Sequence, residues 1–62
     1  MTYEYIVIYS ETQVRRFSDL ESAKELAEAV VNRGHDVEIY AKEIETGKFF
    51  LVDKRSGNHE WT

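Results

Sequence analysis

The segment SDLESAKELAEAVVNRG, residues 18–34, limits what this chain can build. Leu20, Ala23, Leu26, Ala27 and Val30 recur at three- and four-residue spacing, with Val31 bordering the stripe. Glu21, Glu25, Glu28 and Asn32 fall on the opposite side, as a solvated helix face should. Ser18 and Glu21 read as an S-x-x-E capping box. Asp19 and Glu21 sit where the positive end of the helix dipole favours carboxylates, and Gly34 supplies a left-handed stop. The spacing predicts a helix over residues 19–33. Nothing else in the 62 residues has helical periodicity. One amphipathic helix covers one face of a small sheet and no more.

The remaining segments read as strands. TYEYIVIY (2–9) is rich in Tyr, Ile and Val, and QVRRF (13–17) follows after the hairpin-length link Ser10-Glu11-Thr12. Beyond Gly34, DVEIYAKEI (36–44) alternates, with Val37, Ile39 and Ala41 on one side and Glu38, Tyr40 and Lys42 on the other. Gly47 marks a turn and suits a three-residue loop closed by a glycine bulge. FFLVDK (49–54) is the fourth strand. The predicted fold is a single α+β domain, residues 1–62, of ββαββ order: a four-stranded antiparallel sheet in spatial order 2-1-3-4 with the helix on one face. This order centres the most apolar strand and leaves Arg15 and Arg16 on an edge, where charge discourages stray pairing.

The first strand is apolar on both parities. Aliphatic residues match the helix stripe, so Ile6 and Ile8 are expected beneath it with Val37, Ile39, Ala41, Phe49 and Leu51. The open face is then expected to carry Tyr3, Tyr5, Val7, Tyr9, Tyr40, Phe50 and Val52, with Glu38 and Lys42 among them and Trp61 folding back over part. A solvated sheet face is the plain reading of such a pattern. A contiguous apolar patch rich in Tyr and Trp points instead to an interface. The candidate interaction surface is Tyr3, Tyr5, Tyr9, Tyr40, Lys42, Phe50, Val52 and Trp61. The little-protected edge of FFLVDK is a second route to association.

Composition narrows the function classes. Twelve acidic residues against eight basic ones give a net charge of −4, which disfavours nucleic acid and anionic membranes. There is no cysteine and no run of about 18 apolar residues for a membrane span. No basic region precedes the first apolar run, so no secretion signal is expected, and a cytoplasmic location is. The opening Met predicts a complete small reading frame. His35 beside Asp36 and His59 beside Glu60 lack metal-ligand spacing and read as loop positions. No nucleophile motif and no phosphate-cradling glycine loop occurs, so neither catalysis nor a cofactor is expected.

A chain this short buries only about 60% of its unfolded surface, and small domains often gain the rest from a partner subunit. The expected function is a non-enzymatic protein-interaction module, a homodimer that binds a further partner protein. This style of chain is in keeping with a small phage or mobile-element accessory or inhibitor protein. The alternative expectation is a nucleic-acid binder that stacks bases on the aromatic sheet face.

Overall fold

Four strands and one helix follow one another as β1 (Tyr3–Tyr9), β2 (Gln13–Phe17), α1 (Leu20–Asn32), β3 (Val37–Glu43) and β4 (Phe49–Arg55). A computed structural model describes residues 2–57. The strands form one antiparallel sheet in the order β2-β1-β3-β4, the α+β arrangement expected from the sequence. α1 lies across β1 and β3 and reaches β2. Val7, Ala23, Ala27, Val30, Val37 and Ile39 form the buried core between helix and sheet. The small side chains of Ala23 and Ala27 are fully buried and let the helix lie close on Val7 and Ile39.

The helix is capped one residue later than expected. Asp19, not Ser18, is the N-cap. Its Oδ2 accepts from the Ser22 amide at 2.9 Å, and its Oδ1 from the Ser22 hydroxyl at 3.1 Å. Both residue types cap well, but a carboxylate also gains from the helix dipole. At the other end Arg33 is the C-cap and Gly34 takes the left-handed conformation, φ 93°. The His35 amide donates to the Val30 carbonyl at 3.2 Å, and Gly34 to Val31 at 2.9 Å. This paired closure satisfies two terminal carbonyls and turns the chain into β3.

The faces of β1 are the reverse of the expectation. Tyr5 is opposite Ala41, Val7 opposite Ile39 and Tyr9 opposite Val37. Paired residues share a face, so Tyr5, Val7 and Tyr9 point to the helix. Val7 is fully buried, and Tyr5 and Tyr9 pack against the core. Ile6 and Ile8 lie opposite Tyr40 and Glu38, on the face away from α1. The reason is Glu4. It has the parity of Ile6 and Ile8, so turning those two inward would also turn a carboxylate inward. Instead Glu4 lies opposite Lys42 on the open face.

The start of β4 is reversed too. Phe49 is opposite Lys42, Phe50 opposite Ala41 and Leu51 opposite Tyr40. The Glu43 amide donates to the Lys48 carbonyl at 2.8 Å, which leaves four residues, Ile44 to Gly47, in the loop. The Gly47 amide returns to the Glu43 carbonyl at 2.7 Å, with Gly47 at φ 75°. An even loop length inverts the parity that a three-residue loop would give. A bulge follows: Asp53 is opposite Ile39, so Val52 is the extra residue. Val52 packs against the core, so it belongs to the helix side and not to the open face.

A last contact ties β4 down. The Gly57 amide donates to Asp36 Oδ1 at 2.8 Å. Gly57 is buried so close to the helix stop that a methyl group on it would collide with the Gly34 carbonyl and the His35 amide nitrogen.

Candidate interaction surface

The predicted surface residues divide between two faces. Tyr3 and Phe50 share the helix side. Their rings meet edge to face at 6.0 Å, and Tyr3 lies 6.5 Å from Tyr5. Tyr5, Tyr9 and Val52 serve the core instead. Tyr40 and Lys42 lie on the opposite face. Trp61 lies outside the described residues. The structure therefore brings together only Tyr3, Tyr5 and Phe50 on one side and Tyr40 and Lys42 on the other.

The open face is a mixed surface. Ile6 and Ile8 are only partly buried, with Val14 and Leu51 flanking them across the sheet. The Tyr40 hydroxyl donates to Glu38 Oε1 at 2.9 Å, and Lys54 Nζ stands 4.0 Å from Glu38 Oε2. The hydrogen bond to Glu38 raises the Tyr40 phenol above its ordinary pKa, with lesser help from burial and from the Glu38 charge. Lys42 places its ammonium 5.7 Å from the centre of the Phe49 ring, within cation–π range.

Exposed apolar area gathers elsewhere, at the bare start of β4 and its turn. Phe49 is 58% exposed, Phe50 52%, Leu51 49% and Ile44 49%. Phe49 and Leu51 point to the open face and Phe50 to the helix side, where its ring meets Tyr3. Among the described residues no strand pairs with the outer edge of β4, and a strand edge with apolar residues on both faces is a template for another strand. The second half of the same strand is guarded. Asp53 Oδ2 accepts from Arg55 Nε at 3.0 Å, and Lys54 is exposed.

Phe49, Leu51, Ile44, Ile6 and Ile8 were not among the sequence-derived surface residues. Glu4 carried the signal for the isoleucines. Ile44 through Gly47, read as a four-residue loop, would have turned Phe49 and Leu51 outward. At the far end of the sheet, Ser10, Glu11, His35, Asp36 and Arg55 rim an open cleft. His35 is exposed there, and His59 lies outside the described residues. Among the described residues no three His, Asp or Glu side chains converge as a metal site requires. No described helix is long and apolar enough to cross a membrane.

No protein-family model matches the chain, and no curated protein and no solved structure matches it either.

Proposed function

We propose that this chain is a non-enzymatic protein-interaction module that acts by strand addition at the bare half of β4. The observation that carries this reading is the continuous exposed run Phe49-Phe50-Leu51 on an edge strand. Strand addition draws affinity from backbone hydrogen bonds and specificity from alternate side chains. Phe49 and Leu51 would grip a partner on the open face, and Phe50 with Tyr3 on the other. We place such a module in the cytoplasm, as an accessory or inhibitor of a larger protein.

Base stacking on the sheet loses support from this arrangement. Tyr5 and Tyr9 are engaged with the core, and Glu4 and Glu38 stand on the face that holds Tyr40. Affinity capture from the native host with wild type, Phe50→Lys and Val14→Lys separates the readings. Val14 is similarly exposed, at 53%, but belongs to the opposite edge. A captured protein lost with Phe50→Lys and kept with Val14→Lys is the expected result. Capture insensitive to Phe50→Lys, or steeply salt-dependent binding of single-stranded RNA instead, overturns the proposal.

A further inference from the structure

Resting on the edge reading above, we infer that, until a partner protein displaces it, the strand added to β4 is β4 of a second copy of this chain, antiparallel, with Phe50 opposite Phe50 of that copy. A two-fold axis perpendicular to the sheet pairs the same strand with itself and keeps both helices on one side of a continuous eight-stranded sheet. Such an axis demands that facing residues point to the same face, and this β4 meets the demand over the whole Phe49-Phe50-Leu51 run when Phe50 lies opposite itself. Phe50, on the helix side, meets itself. Phe49 and Leu51, both on the open face, meet each other. Lys48 falls on the helix side by alternation from Phe49. It meets the bulge of the other copy, where Val52 and Asp53 also belong to the helix side.

Charge agrees with geometry. Lys48 of each copy is brought toward Asp53 of the other, so an ammonium and a carboxylate stand together at both ends of the paired segment. Other registers fail on the bulge, on the faces or by setting Leu51 against the β3–β4 loop. Leu51 opposite itself would set Phe49 of the open face against Asp53 of the helix side. Phe49 opposite itself would leave Leu51 facing Gly47. An odd shift would pair Phe50 with Leu51 or with Phe49 and mix the faces.

The area sets the strength. An aromatic side chain presents about 200 Å², and Phe49, Phe50, Leu51 and Ile44 are each about half exposed. The several hundred Å² available per copy is below the roughly 800 Å² per partner of a standard interface. The dimer is therefore weak and concentration-dependent.

Sedimentation of the wild-type chain, together with single-cysteine variants, tests the inference. The native sequence has no cysteine, so each variant has one thiol. Directly opposed residues place their Cβ atoms about 4.5–5.5 Å apart, close enough for a disulfide after a small adjustment. Phe50→Cys is expected to form a disulfide dimer with itself under mild oxidation. Phe49→Cys and Leu51→Cys are expected to cross-link only when mixed. All three positions are about half exposed, so the core under α1 is untouched. Leu51→Cys linking to itself in preference to Phe50→Cys overturns the register. A wild-type chain that stays monomeric up to about millimolar concentration overturns self-pairing altogether. That result leaves the edge reading to the capture experiment, which fails when Phe50→Lys captures as wild type does or when the chain binds single-stranded RNA instead.

Discussion

The two edges of this sheet answer the same physical problem in opposite ways. β2 carries Gln13, Arg15 and Arg16, all exposed, and begins at a tight turn. β4 opens with Phe49, Phe50 and Leu51 and turns charged only past the bulge, at Asp53, Lys54 and Arg55. Paired charges and a short span keep a strand edge from recruiting neighbours. Half of β4 lacks that protection, and the change from bare to guarded falls at Val52. An edge strand can thus be divided within a few residues into a part that invites pairing and a part that forbids it.

The edges are also anchored differently, which gives three ways to press the comparison. The largest effect is expected at Gly57, the anchor of β4. Gly57→Ala forces its new methyl group against the Gly34 backbone and should cost about 2 kcal/mol, in the range of overpacking a filled site. Asp36→Ala removes the acceptor for the Gly57 amide and should cost about 1 kcal/mol. Urea unfolding gives the totals. Amide exchange should quicken at the Arg55 end of β4 and leave β2 unchanged. Equal loss at both edges would mean that the anchor serves the whole sheet.

A smaller effect of opposite sign is expected at the β2 end. Ser10 and Glu11 both have positive φ, 51° and 66°, in the turn that joins β1 to β2. Non-glycine residues there are strained by about 1 kcal/mol or more each. Glu11→Gly should stabilise the chain by about 0.5 kcal/mol, after the added freedom of the unfolded chain is subtracted. A midpoint in urea that falls would show that Glu11 makes a favourable contact outweighing its backbone strain.

The smallest effect concerns Tyr40, on the strand between β1 and β4. Its phenol is raised above 10.0 by the hydrogen bond to Glu38. A raised acid stays neutral longer in the folded state. Its contribution is therefore complete below the unfolded value near pH 10 and is lost as pH climbs through the folded value. The ultraviolet phenolate transition assigned to Tyr40, by difference against Tyr40→Phe, should move down in Glu38→Gln. An unchanged transition would mean that Glu38 does not hold the hydroxyl in solution.

The strand order was readable from the chain because charge, length and hydropathy each favoured it. Arg15 and Arg16 belonged on an edge, and Gly34 and Gly47 punctuated the elements where the structure breaks them. Helix α1 was readable apart from the choice between two adjacent capping residues. The faces were harder, because β1 is apolar on both parities and alternation has nothing to distinguish. One polar residue, Glu4, held the answer against six apolar ones. The bulge at Val52 had no sequence mark at all: neither glycine nor proline signals it, and it arises from fitting β4 to both its turn and Ile39. The candidate surface changed accordingly, from a platform of tyrosines to a strand edge that Tyr3 only borders.

The Asp36–Gly57 contact has a consequence for how two copies can associate. Proteins with a hairpin at a sheet edge can dimerise by letting it swing out and settle in the other copy. Here β4 is held at its start by the β3–β4 turn and at its end by the clasp on the helix stop. Swinging it out would break the strand ladder and the clasp together. The fold therefore resists strand exchange while leaving strand addition open at Phe49-Phe50-Leu51.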